Sequence, residues 1–162
     1  MTSAHGSLVD SFDRNILEIM QKSNRATSEQ IAEKVGLSPA AVQRRIKRMR
    51  EQKIIQADVS MVDPKALGRN MTFVVEVSLE RERADLIDMF KRDMQNNSAV
   101  QQCYYVTGSA DFILLVTAFD MESYELFTRE TFINNSNVRS FQTSVVMDAA
   151  KVGLAMPVDE KP

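Results

Sequence analysis

Two kinds of apolar spacing divide the chain. Up to about residue 63, apolar side chains recur every three or four positions; beyond it, alternating and continuous apolar runs are separated by helical ones. In the first part, Val9 to Ser23 sets Phe12, Ile16, Ile19 and Met20 on one face, with Leu17 beside them. Asp10 suits the N-cap, and Asp13 puts a negative charge in the first turn, where the helix dipole favours it. Ser28 to Val35 forms a second helix. Thr27 and Gln30 have capping-box spacing, Ile31, Ala32 and Val35 make the stripe, and Gly36 ends it. The third helix has Ser38 as cap and Pro39 at the first helical position, where its missing N–H costs nothing. Val42, Ile46 and Met49 follow on one face, and Ile54 to Val59 reads as a short strand or wing.

The later part alternates. Thr72 to Leu79 turns Phe73, Val75, Val77 and Leu79 to one side and Thr72, Val74, Glu76 and Ser78 to the other, as a half-buried strand requires. Arg83 to Met94 is helical, with Leu86, Ile87, Phe90 and Met94 inward. Strands are expected at Val100 to Thr107 and at Asp111 to Phe119, the latter central because its apolar run is continuous. Asp120 caps a helix from Met121 to about Ile133, with Tyr124 and Phe127 on one face. A last strand, Val138 to Met147, carries Phe141, Val145 and Met147 on one side. The order βαββαβ predicts a four-stranded antiparallel sheet with two helices on one face, a ferredoxin-like arrangement. The fold class is therefore α+β: an N-terminal (winged) helix-turn-helix joined to a βαββαβ sheet domain. The boundaries expected are 1–63 for the helical domain, 64–71 for a hinge with Pro64 and Gly68, 72–150 for the sheet domain and 151–162 for a C-terminal tail.

Composition narrows the class. The chain has 162 residues, 44% hydrophobic and 26% charged, which is globular. Its longest apolar run, Phe112 to Val116, is far below the roughly 20 residues of a membrane helix. Met1 to Ser7 has no signal-like pattern, and His5 falls in a tail expected to be disordered. One cysteine excludes an intramolecular disulfide, and one histidine leaves few soft metal ligands, so neither a metal nor a cofactor is expected. Cys103 reads as a small buried hydrophobe rather than a nucleophile. A cytoplasmic protein is the expectation.

The net charge of −2 argues at first against a nucleic-acid partner, but its distribution reverses that. Residues 1–63 hold ten basic and eight acidic side chains; residues 64–162 hold ten and fourteen. Ser38 to Lys53 alone carries six basic residues against Glu51, a local +5. Two helices joined by a short Gly-containing turn, the second capped and basic, make a helix-turn-helix. With Val42, Ile46 and Met49 inward, Ala40, Gln43, Arg44 and Lys47 face out, with Arg48 flanking. Gln43 can pair with adenine and Arg44 with guanine through two hydrogen bonds each. Lys47 and Arg48 suit phosphates, and Arg45, nearer the core side, suits either a structural ion pair or a phosphate. With the capping Ser38, these are the candidate contacts to double-stranded DNA.

These residues resemble the Lrp/AsnC family of bacterial and archaeal transcription regulators. The resemblance runs through Asp10, Asp13, Ile16-Leu17, Asn24-Arg25, Ile31-Ala32, Val35-Gly36-Leu37-Ser38, Val42, Arg45-Ile46, Ile55, Asp63-Pro64 and Leu67-Gly68. It extends over roughly residues 8–150. The family usually has Gly where Lys53 stands and Gly-Tyr near Gln56-Ala57. The sheet's second face, left uncovered by the helices, predicts a homodimer at least; the resemblance implies further assembly, into a tetramer or octamer, and an amino-acid effector.

The segment Val106 to Asp111 reads from pattern alone as a hairpin turn, with Gly108 for positive φ. The resemblance adds an effector-binding role for its Thr107, Gly108, Ser109 and Asp111. Backbone N–H groups near Gly108 would bind a carboxylate and Asp111 an ammonium. Gln142, Thr143 and Ser144 match the family's last strand and complete this set. The reading is a sequence-specific regulator whose DNA binding or assembly responds to a small effector. The alternatives are a small-molecule enzyme on the same sheet or a stand-alone amino-acid sensor, and no phosphate loop or paired-carboxylate motif favours the former.

Overall fold

The computed structural model describes residues 8–159. His5, with the rest of residues 1–7, and residues 160–162 lie outside the described residues. The chain divides into two compact units. One comprises the chain up to Ser60 together with the segment from Lys151; the other is Met61–Ala150. The segment read as a tail is thus part of the helical unit.

The helical unit holds α1 (Ser11–Lys22), α2 (Ser28–Val35) and α3 (Pro39–Glu51). Each starts where a side chain satisfies an orphan N–H. Asp10 and Thr27 both form complete capping boxes, and Ser38 Oγ accepts from the Ala41 amide at 3.2 Å. Gly36 closes α2 in the left-handed region at φ 71°, which glycine adopts without strain. Ile16, Ile31, Ala32, Val35, Val42, Ile46 and Met49 are the buried core. Phe12, expected on the inward face, is 39% exposed; the Arg45 guanidinium lies over its ring, 5.4 Å from the centroid.

No strand or wing forms over Ile54 to Val59. Instead α3 ends in a Schellman turn. Lys53 takes φ 58°, its amide bonds to Arg50 O at 3.1 Å, and the Ile54 amide reaches back to Met49 O at 2.9 Å. This folds Ile54 and Ile55 onto the helical core rather than out along an edge. Beyond them Asp58 pairs with Arg50 at 3.0 Å.

The second unit opens with a 3₁₀ turn, Pro64–Leu67, and continues through β1 (Met71–Leu79), α4 (Ala84–Asn96), β2 (Val100–Tyr105), β3 (Phe112–Ala118), α5 (Met121–Thr128) and β4 (Val138–Val145). The sheet is antiparallel in the order β2-β3-β1-β4, so β3 is central as its apolar run requires. Phe73, Val75, Val77, Leu79, Phe112, Leu114 and Val116 join Ile87, Phe90 and Met94 of α4 and Tyr124 and Phe127 of α5 in one core. Both helices therefore lie on one sheet face. The expected helix to Ile133 is interrupted: Arg129–Ile133 widens into a π turn, with the Asn134 amide on Arg129 O at 3.0 Å. The wider turn seats Phe132 in the core, 5.3 Å from the Phe127 ring and 5.0 Å from that of Phe141. β4 stops at Val145, so Met147 lies past the strand and is fully in solvent.

Candidate nucleic-acid interface and effector loop

On α3 the inward positions Val42, Ile46 and Met49 leave an outward face of Ala40, Gln43, Arg44 and Lys47, all exposed, with Ser38 at its N-terminal end. The helix is exposed from its first turn, which is the end that meets base edges in a major groove. Arg44 has no ion-pair partner among the described residues, and Lys47 is only 3.8 Å from its own helix neighbour Glu51, a loose exposed pair.

Arg45 and Arg48 sit differently. Arg45 Nη1 donates to Asp10 Oδ2 at 2.7 Å and to Asp13 Oδ1 at 2.9 Å, and Arg48 Nη2 donates to Asp13 Oδ2. Of the two roles open to Arg45, the structure displays the ion pair. Arg48, expected as a phosphate contact, is half-buried against the same carboxylate. Asp13 itself is 1% exposed. The Asp13 amide and then the Arg45 guanidinium hold the Asp10 carboxyl below its usual pKa, and Asp10 and Asp13 in turn raise that of Arg45. Sequence reading gave Asp10 and Asp13 capping roles and missed their partners. The available signal was an acid pair three apart opposite a basic pair three apart, Arg45 and Arg48.

In the sheet unit, Thr107, Gly108 and Ser109 are exposed at the tip of the β2–β3 connection. Gly108 has φ 140°, backbone that a side chain would strain, and apart from its chain neighbours no described residue comes within 4 Å of where its Cβ would be. Asp111 is partly buried at the foot of the loop. Its Oδ2 accepts from the Leu79 amide at 2.6 Å and its own amide bonds to Val77 O at 3.0 Å, tying the loop to the end of β1. Among the described residues its Oδ1 has no hydrogen-bond partner.

The β4 candidates do not share a face. Gln142 and Ser144 pair with Glu76 and Val74 on the sheet face without helices. Thr143 points to the helix face, where its Oγ1 lies 2.6 Å from the Tyr124 hydroxyl. Strand alternation therefore separates Thr143 from the other two. A shallow depression of about 470 Å³ between the end of α4 and the π turn is lined by Met89, Asp93, Asn97, Glu130 and Asn134, and by none of the candidate effector residues. Cys103 packs partly buried against the core, and burial pushes its thiol pKa up, away from the reactive thiolate. No helix among the described residues is long and apolar enough to cross a membrane.

A capped, basic helix-turn-helix linked to a βαββαβ sheet is the build of a two-domain transcription regulator. Residues 9–50 match the AsnC-type helix-turn-helix domain, and residues 72–156 match the Lrp/AsnC ligand binding domain. The chain belongs to the Lrp/AsnC family of transcriptional regulators. It is 55% identical over 151 residues to an uncharacterized HTH-type transcriptional regulator of Sinorhizobium fredii, covering 93% of this chain and 89% of that one. It is 32% identical over 146 residues to the leucine-responsive regulatory protein of Escherichia coli, covering 90% and 89%. Among solved structures, a transcriptional regulator from Neisseria meningitidis in complex with L-Met superposes with a TM-score of 0.87 at 25% identity, covering 93% and 97%. These relatives are regulators, so the enzyme alternative gives way.

Proposed function

We propose that the chain binds double-stranded DNA through α3 and that an amino acid bound at the sheet unit alters that binding or the protein's assembly. The observation that carries the DNA reading is the exposed Arg44, flanked by Gln43 and Lys47 on the outward face of a capped second helix. Gln43 and Arg44 read base edges; Lys47 and the Ser38–Ala40 end approach the backbone. Arg44→Ala should lower specific affinity by about 1–3 kcal/mol and relax one base preference, and Lys47→Ala should reduce the salt slope by about 1 without changing preference. Unchanged footprints in Arg44→Ala would remove α3 from the interface.

The effector reading rests on Gly108, whose backbone is open to a carboxylate, and on the unpartnered Oδ1 of Asp111, which suits an ammonium. The L-Met complex of the Neisseria regulator and the name of the leucine-responsive relative support an amino acid as the class. A thermal-shift screen of the twenty amino acids, L-Met and L-Leu first, tests it. Asp111→Asn keeps an acceptor for the Leu79 amide and should abolish the shift; a retained shift removes Asp111 from the site.

The sheet face without helices carries Val74, Ile113 and Leu115, which favours a second copy as its cover. We propose a homodimer, extendable to a tetramer or octamer, acting in the cytoplasm. Two recognition helices on a near-palindrome would multiply affinity. Sedimentation with and without the effector reports the assembly.

A further inference from the structure

We infer that Asp13 is a positioning residue for DNA recognition, which sets the outward face of α3 and withholds two arginines from the phosphates. The inference rests on the reading of α3 as the DNA-contacting helix. Asp13 is a carboxylate at 1% exposure, and a charge that far out of water persists only when paired. Both of its oxygens are engaged by α3: Oδ1 by Arg45 at 2.9 Å and Oδ2 by Arg48. Asp10 holds the same Arg45 guanidinium at 2.7 Å, and Asp10 and Asp13 each accept the other's backbone N–H in the capping box. The first turn of α1 thus grips α3 through directional, charge-assisted bonds at two positions one turn apart.

Packing alone leaves this freedom open. Val42, Ile46 and Met49 press α3 onto the core, but this stripe is only three side chains along a thirteen-residue helix and carries no directional bond that sets the roll about the helix axis. A roll would carry Gln43, Arg44 and Lys47 off the base edges together, because all three stand on that helix. The fork of bonds from Asp13 fixes the roll angle.

The same bonds sort the charges. Of the six basic residues from Ser38 to Lys53, Arg45 and Arg48 are neutralised by Asp13 and Asp10, and Arg50 by Asp58. Arg44 and Lys47 remain on the outward face for DNA, and Lys53 stands past the helix in its closing turn. Cations on phosphates add affinity for any sequence alike, and with it salt dependence, without adding discrimination. Asp13 therefore limits sequence-independent affinity and its salt dependence by keeping two guanidiniums off the phosphates, and it raises specificity through the roll angle it fixes.

The test uses the full chain, the duplex that wild type enriches from a randomised pool, and a random-sequence duplex, each titrated across salt. Asp13→Asn removes the only carboxylate that holds Arg48 and leaves Arg45 on Asp10, so binding to the random duplex should tighten and its log–log salt slope should steepen by about 1. The ratio of specific to random affinity should fall tenfold or more. Arg48→Gln leaves Asp13 held by Arg45 and should not change the slope, whereas Lys47→Ala lowers it by about 1. An Arg48→Gln slope that falls as far as that of Lys47→Ala overturns the inference, as does an Asp13→Asn protein with the wild-type ratio and slope. If Asp13→Asn does not fold, the Arg48→Gln slope decides alone. If Arg44→Ala and Lys47→Ala both bind as wild type, it is the reading of α3 that fails.

Discussion

The two units hold their working parts by different means. Among its described residues the helical unit has seven buried hydrophobic side chains in its core, none of them aromatic. The sheet unit has fourteen, among them five phenylalanines and Tyr124, with Phe73 stacked on Tyr124 at 3.7 Å between centroids and Phe90 against Phe112 at 4.6 Å. A core of Ile, Val, Ala and Met side chains is smaller than that of the sheet unit and has no rings to interlock. There the helix ends and the Asp10–Asp13–Arg45–Arg48 cluster supply direction. In the sheet unit, interlocked rings and three strand ladders supply it. Charge and polar bonds orient where packing area is scarce.

Phe112→Ala should break that contrast most visibly. Removing a fully buried ring at the centre of the sheet costs about 3–5 kcal/mol, and the sheet unit should unfold at lower urea while the helical unit's transition stays in place. Far-UV circular dichroism with the isolated tyrosine absorbance as a second probe reads both, since all three tyrosines lie in the sheet unit. Transitions that move together would show that the units do not unfold separately.

Tyr124→Phe comes next, at about 1.5 kcal/mol, because it removes the bond to Thr143 and leaves that hydroxyl half-buried. Burial raises the Tyr124 pKa above its ordinary value near 10. The folded form thus keeps a proton that the unfolded form releases. Stability from this group is complete below pH 10 and is lost as pH rises through the higher folded value. In Tyr124→Phe this fall in the sheet unit's stability above pH 10 should disappear, leaving a flatter alkaline profile from a lower starting stability. Acid is less diagnostic. Asp10 is lowered by the Asp13 amide and Arg45, and Asp120 by the Ser123 amide, so each unit loses a carboxylate contribution as pH falls below the usual carboxylate range.

Ser38→Ala should cost about 1 kcal/mol in the helical unit alone, measured in urea, because it strips the cap from α3. Lys53→Gly has the smallest expected effect and the opposite sign. Position 53 sits at φ 58°, so glycine should raise stability by about 0.5 kcal/mol, the relief of strain exceeding the greater entropy of the unfolded chain.

Lys53 also shows where sequence stops being legible. α2, α3 and the strands were readable because their caps and spacings are local. The turn after α3 was not, since its αL residue lacks the glycine that announces one, and Ile54-Ile55, apolar and β-branched, looks like a strand when it is a fold-back. Alternation was enough to place Phe73, Val75, Val77 and Leu79 in the core, and it should equally have kept Thr143 apart from Gln142 and Ser144. The pairing of Asp13 with Arg45 and Arg48 spans more than thirty residues, a distance at which composition carries no register.

The segment beyond Lys151 has a consequence of its own. Arg14 Nη1 donates to Val158 O at 2.9 Å and Asp159 O at 3.0 Å. Gln21 and Met156 exchange two bonds, at 3.0 and 2.6 Å. The helical unit is therefore discontinuous, a body with the sheet unit spliced between its halves. During synthesis α1 must wait for the whole sheet to emerge before Met156 and Val158 reach it. A fragment ending at Ser60 would contain all three helices and still be an unfinished domain.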